Sequence, residues 1–261
     1  MLNTIIRFFC IISYVTGASA LIATNGSTQW PNPVPYTCDP KQNKDLGRYL
    51  VPLSNRTGLK FVSRTNEAEW IHFELNSSAP RNEAKFVGRK PGGGAHRLVI
   101  RDYGRYAILN GLFHALGFRH EHQRKDRMQY INVFTERVTA DYAKDYGTID
   151  DAEILTPYDD LSIMHYSSSD GANVDAGHNV TMTYKNGTAI RLQDTLSYYD
   201  VEGLCTHYGL RSCYLTGLPK TNLMAEVPVS PPPPPPPAPT GLGAFVGLII
   251  KSFLGLFKGE K

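Results

Sequence analysis

Charge of one sign, cysteine and long apolar runs are all scarce in this chain, and each scarcity excludes something. Lysine and arginine number 27 against 24 aspartates and glutamates, a formal net charge of +3 in 261 residues. So even a balance builds no field for gathering nucleic acid, and no nucleic-acid partner is expected. The basic run Arg124-Lys125-Asp126-Arg127 reads as solvated surface with local pairing, not as a binding patch. The apolar run near the N-terminus, Phe8 to Val15, is too short to cross a bilayer, which takes about 20 residues. With Arg7 ahead of it and Ala18-Ser19-Ala20 behind, it reads as a secretory signal over residues 1–20. Cysteines number four. Cys10 leaves with the signal, so Cys38, Cys205 and Cys213 remain as disulfide candidates; in an oxidising compartment two pair and one is left over. Sequons at Asn25, Asn55, Asn76, Asn179 and Asn186 suit a glycosylated, extracellular chain.

The stretch from Asn110 to Glu121 organises what is present. Ile108, Leu109, Leu112, Phe113 and Leu116 recur at helical spacing and predict a helix over Tyr106–Gly117. Gly117 is a helix stop, because glycine takes a left-handed cap without steric cost. His114 falls on the last turn and His120 lies six residues on. This is the second half of the zinc motif H-E-x-x-H-x-x-G-x-x-H, in which two histidines share a helix face, a glycine turns the chain and a third histidine closes the site. His114, Gly117 and His120 fill the second-histidine, glycine and third-histidine slots. Asn110 stands in the first-histidine slot and Gly111 in the glutamate slot.

Further motifs follow in order. Phe118, His120 and Glu121 lead into a run ending at Arg127; Ser162-Ile163-Met164-His165-Tyr166 looks like a Met-turn with its tyrosine. Upstream stand Trp30 to Tyr36 and Phe61 to Glu69. Over roughly Gln29 to Cys213 the chain resembles the astacin family of secreted zinc metallopeptidases, with a degenerate zinc motif. The resemblance implies an α+β fold: a two-lobed zincin-like (metzincin) domain with a mixed sheet, a central active-site helix and a C-terminal helix. It implies that Glu121 braces the mature N-terminus and that an edge strand above the cleft pairs with peptide. It also implies two bridges, one joining the Gly58 position to Cys213 and one joining the positions of Glu83 and Asp102. Gly58, Glu83 and Asp102 are not cysteines, so neither forms, and Cys38 is expected to pair with Cys205 or Cys213. Active members carry a pro-segment; only Leu21 to Ser27 stand between the expected cleavage and the Trp30 motif, which accords with a chain that does not cut.

A catalytic zinc takes three protein ligands plus water. His114 and His120 supply two, Tyr166 is a candidate outer ligand, and Asn110 offers only an amide oxygen, poor beside imidazole. Weak or vestigial zinc binding is allowed for and tight zinc is not expected; the alternative is two histidines in a metal-free core. Gly111 has no side chain to take a proton from water. Losing a general base lowers a rate by about 10² to 10⁴, so no catalytic residue is assigned. His122 and His165 are not at ligand positions, Met164 is read as core packing beneath the site, and Asp126 as part of an Arg-Asp-Arg brace.

Elsewhere, Val34–Thr37, Leu59–Ser63, Trp70–Leu75, Phe86–Gly88 and Arg97–Ile100 read as strands. Lys41–Leu50 reads as a weak helix that Pro52 ends, and Asp194–Tyr208 as a final helix. The expected organisation is a signal at 1–20, a short segment at 21–28, a peptidase-like domain at 29–214, a proline-rich linker at 215–240 and an apolar tail at 241–261. The tail is expected as a cationic amphipathic helix at a membrane interface. Three functions are carried forward: a secreted pseudopeptidase that binds a peptide or protein ligand in its cleft; a zinc metalloendopeptidase with residual or rerouted activity; and a carrier for a membrane-active tail.

Overall fold

The computed structural model describes residues 22–23, 28–39, 43–101 and 104–221. The expected signal, the sequon at Asn25, the linker beyond Thr221 and the apolar tail lie outside the described residues.

A short strand β1 (Ile22–Ala23) is followed by β2 (Val34–Cys38), helix α1 (Asn43–Thr57), β3 (Phe61–Ser63), β4 (Trp70–Leu75), β5 (Glu83–Ala84), β6 (Ala95–Ile100) and helix α2 (Arg105–Ala115). Five strands form one sheet in the order β3-β2-β4-β6-β5, parallel except for β5, which runs antiparallel at the edge. The period-two pattern of β4 and β6 sets its buried face: Ile71 and Phe73 alternate with half-buried Trp70 and His72, and His96, Leu98 and Ile100 are buried. Helices α1 and α2 cover that face, α2 against β5 and β6, α1 against β3, α2 and a later helix. The resulting core joins Val34, Leu53, Ile71, Phe113 and Met164 in one cluster.

The second lobe has little regular structure. Short 3-10 turns link β7 (Ile131–Val133), β8 (Glu153–Ile154, antiparallel to β1) and β9 (Met182–Tyr184, antiparallel to β7). Tyrosines replace aliphatic side chains as its core: Tyr130, Tyr146, Tyr158 and Tyr166 pack with Ile131, Met182 and Ile190. Helix α3 (Tyr198–His207) closes the domain. Ser197 and Asp200 form a reciprocal capping box at its start. At its end Gly209, at φ 62°, makes a left-handed reversal in which Leu210 N–H donates to Cys205 O at 2.9 Å and Gly209 N–H to Thr206 O at 3.2 Å.

The structure departs from the sequence reading in four places. Helix α1 runs through Pro52 instead of stopping before it. Proline in a helix interior costs about 3 kcal/mol, but Leu46, Leu50, Leu53 and Thr57 form one buried stripe that continues past it, while Val51 and Pro52 face solvent. Residues 86–88 are not a strand. Their amides go to unlike partners, Phe86 N–H to His96 Nε2 and Gly88 N–H to His114 O, so no ladder forms; the edge strand lies earlier, at Glu83–Ala84. Arg124 and Arg127 are buried, not solvated, at 1% and 7% exposure. The fourth departure is the disulfide. Cys205 pairs with Cys213, and Cys38 at the end of β2 is the free thiol. The reversal at Gly209 returns the chain along α3, which brings the two Cα atoms to 6.4 Å.

This pairing makes a thiol count decisive. The secreted chain is expected to show one titratable thiol in denaturant, and Cys38→Ser is expected to remove it without altering the disulfide. Loss of the disulfide in that variant, seen by peptide mapping, would show that Cys38 takes part in the bridge.

Candidate functional site

The site begins with the end of α2. Gly117, at φ 113°, donates to His114 O at 3.0 Å, and Phe118 N–H donates back to Phe113 O at 3.0 Å. The rings of Phe113 and Phe118 then pack 5.6 Å apart, both fully buried. This is a Schellman reversal with its apolar contact. It folds His120 back onto α2, so that His120 Nε2 lies 3.0 Å from His114 Nε2.

The proton positions on this pair follow from the partners. His114 Nδ1 lies 2.9 Å from Phe118 O, and a carbonyl only accepts, so Nδ1 carries the proton. Burial lowers His114 to about 4 and His120 well below its ordinary value, so both rings are neutral at pH 7. His114 Nε2 is then a bare acceptor and His120 Nε2 the donor. His122 and His165 are also buried and held neutral, the first donating to Asp145 O and the second accepting from Tyr158 Oη.

Asn110 faces the other way. Its Nδ2 donates to Ile163 O at 3.1 Å and lies 3.5 Å from Met164 Sδ, tying α2 to the turn at 162–164. That turn is held from two further sides. Asp200 accepts from Ser162 Oγ at 2.6 Å and Ile163 N–H at 2.9 Å, and Glu121 N–H donates to Met164 O at 2.8 Å. Met164 is fully buried beneath the histidines. Tyr166 packs its ring 4.3 Å from that of His120, and its hydroxyl lies 3.4 Å from Asp145 Oδ2. Asp145 is in turn paired with Arg81 at 3.0 Å.

Behind this layer Glu121 is fully buried, and burial pushes its carboxyl up to about 7. Oε1 accepts from Asp159 N–H and Arg124, while Oε2 has no partner among the described residues. Arg124 is clamped at 2.8 and 2.6 Å by Asp126; Arg127 donates instead to His122 O, so the brace at Asp126 holds one arginine and not two.

The donor set that meets here is two imidazoles. A catalytic zinc takes a third protein ligand, and Asn110 and Tyr166 are turned to Ile163 and Asp145 instead. Among the described residues no group of three metal-ligating side chains is gathered. The residues present do not match a three-ligand zinc centre. They do line a cleft of about 510 Å³ that runs from β5 past Leu98 and Gly111 to His120 and Tyr166. A side chain at Gly111 would meet nothing nearer than Leu98 at 4.0 Å, so the glutamate slot is open space.

Sequence reasoning found His114, Gly117, His120, Met164 and Tyr166. It missed Asp200 and Asp145. Asp200 had a local signal, a Ser-x-x-Asp pair ahead of an apolar run. Asp145 had none, since its partners Arg81 and Tyr166 are distant in sequence.

The fold and the site order define a metallopeptidase-type domain, and comparison with known proteins names it. The chain matches the model of the peptidase family Astacin over residues 22–209 and belongs to that family, whose members are zinc enzymes. It is 30% identical over 147 residues to Low choriolytic enzyme of Oryzias latipes, covering 55% of this chain and 52% of that one. It is 26% identical over 191 residues to Zinc metalloproteinase nas-5 of Caenorhabditis elegans, covering 69% and 52%. The chain thus spans about half the length of these curated relatives. Among solved structures, High choriolytic enzyme 1, a hatching enzyme zinc-protease from medaka, superposes with a TM-score of 0.61 at 25% identity, over 70% of this chain and 95% of that chain. Myroilysin shares the fold with a TM-score of 0.52 at 19% identity, over 73% of this chain and 99% of that chain.

Two measurements probe the supports of the site. Asn110→Ala removes the donor from a buried carbonyl, which costs about 1–3 kcal/mol; a lower urea midpoint is expected, and an unchanged one would show that the amide holds nothing. The second concerns pH. Burial pushes the Asp200 carboxyl from 3.8 up to about 6, and Asp159 beside it is raised as well. A raised carboxyl binds its proton more tightly when folded, so its contribution is full below the unfolded value and is lost as pH rises through about 6. The stability advantage of the wild-type chain over Asp200→Asn should therefore shrink between pH 4 and pH 7 by about 1–3 kcal/mol. A pH-independent difference would mean that Asp200 is ionised throughout.

Proposed function

We propose that the chain is a secreted, glycosylated astacin-like pseudopeptidase, an extracellular binding protein that holds a peptide or protein segment in its cleft without cutting it. One observation carries this reading: Asn110, in the first-ligand slot, spends its amide on Ile163 O and Met164 Sδ, while Gly111 leaves the general-base slot without a side chain. Both losses fall on the activation of water, so one neighbouring group cannot restore it. Glu121 cannot stand in as base, since it is buried and engaged by Asp159 and Arg124.

The cleft itself supports retention of a ligand. Its wall includes the free edge of β5, where an extended peptide can add as a further strand through main-chain hydrogen bonds. Asn55, Asn76, Asn179 and Asn186 are exposed, as glycan attachment requires. The proposed domain is 29–214, with the linker at 215–240 carrying a tail that meets a membrane surface. A second reading, residual zinc peptidase activity, draws on His114: its Nδ1–H bond to Phe118 O leaves Nε2 in the metal-accepting form.

Zinc per chain in the purified secreted protein separates the two. A ratio near zero after dialysis against a weak chelator is expected. A ratio near one that survives dialysis would overturn the pseudopeptidase reading. The double substitution Asn110→His/Gly111→Glu is expected to raise the ratio toward one. Position 111 has room for the side chain, and replacing a helix-interior glycine recovers about 0.5–1 kcal/mol.

A further inference from the structure

A second groove, of about 480 Å³, opens beside the cleft and shares Ala84, Val87 and Arg119 with it. Its charge differs sharply from that of the cleft. In the cleft cations and carboxylates alternate, as in the Arg81–Asp145 pair. The groove is lined by Lys85, Arg89, Lys90 and Arg119, and no carboxylate stands among its lining residues as described. Arg89 is held by Glu69 behind it at 2.7 Å. Lys85 and Lys90 are exposed, with their ammonium groups 5.2 and 4.7 Å from the centre of the Phe86 ring between them.

The groove is built, not draped. Lys85 N–H donates to Arg97 O at 3.0 Å, Gly88 N–H to His114 O at 2.9 Å and Arg89 N–H to Thr28 O at 3.0 Å. Phe86 packs edge-on against the buried ring of His96, 5.4 Å away. The lysines therefore stand on a backbone fixed to the sheet, to α2 and to the N-terminal segment. Holding like charges close together on such a frame is unfavourable unless an anion meets them, and prior fixing lowers the ordering cost when one does.

We propose that this groove receives acidic side chains of the polypeptide held in the cleft, so that the ligand is a peptide segment carrying aspartate or glutamate beyond its cleft-bound residues. The proposal rests on the reading of the cleft as a peptide-binding surface. Continuity favours a peptide over a sulfated glycan: the groove begins at Ala84, on the β5 edge, where an added strand would lead into it. Alternate side chains of such a strand fall about 6.8 Å apart on one side, a spacing that lets two acids of one segment face Lys85 and Lys90 in turn. Phe86 offers apolar contact to the carbon chains between them.

The test uses the full secreted chain and three fluorescent peptides that differ only in carrying three glutamates, three glutamines or three lysines. Fluorescence anisotropy reads their affinities at low and high salt. The glutamate peptide should bind about fivefold to tenfold more tightly than the glutamine peptide, as two or three exposed ion pairs supply. The gap should narrow as salt shortens the screening length. Lys85→Glu/Lys90→Glu should erase the gap and leave the glutamine peptide's affinity unchanged; Lys85→Gln/Lys90→Gln guards against misfolding, and Lys125→Glu, elsewhere on the surface, should keep the gap. Equal binding of the glutamate and glutamine peptides, or a gap that survives both lysine variants, overturns the groove assignment alone. A sulfated oligosaccharide that displaces the glutamate peptide more strongly than unlabelled peptide does would assign the groove to glycan. Failure of all three peptides to bind overturns the cleft reading and this proposal with it.

Discussion

The reversal at Gly117 is the constraint on which this site depends. A residue at φ 113° would strain any side chain, and here the backbone must turn at once so that Phe118 can bury against Phe113 and return an N–H to Phe113 O. Without that turn His120 would continue away from α2 and could not meet His114 at 3.0 Å. The same turn sets His114, because Phe118 O, delivered by it, orients the ring through Nδ1. One glycine thus fixes two imidazoles, and it does so through apolar burial and backbone bonds that need no metal.

That separation of support from chemistry explains how the fold tolerates the changes at 110 and 111. The turn at Ser162–Met164 is held by Asp200, by Glu121 N–H and by Asn110, all of them hydrogen bonds of protein to protein. In a zinc-ligating geometry the side chain at 110 would point at the metal; in this chain it braces the floor of the site. Buried polar groups that are fully paired add rigidity, so the substitution exchanges a ligand for a structural contact. Gly111 weakens the helix interior but opens the cleft floor beneath any bound segment.

Where sequence reasoning failed, long-range burial was the reason each time. Pro52 is a strong local stop, yet the stripe Leu46, Leu50, Leu53 and Thr57 has more to gain from continuing than the proline has to lose. Arg124 looks like surface charge until Glu121 is known to be buried beside it, and a buried carboxylate draws its counter-ion inward. Three cysteines left the pairing open; the return of the chain after α3 decided it, and that return hangs on the left-handed Gly209. The pairing of Asp145 with Arg81 and its contact with Tyr166 join segments that no spacing rule connects.

By itself the sequence determined the family, the α+β class, the central helix and the two histidines with their glycine, because these are written in local periodicity and fixed spacings. It also determined what is missing: histidine at 110 and glutamate at 111 are absent whatever the fold does. Tertiary structure alone decided where the Asn110 amide goes, which cysteine stays free and which arginines are buried. It also decided that four cations gather into a groove at the end of the cleft. Each of these is set by a partner brought from far along the chain, and which partners meet depends on which apolar faces are buried together.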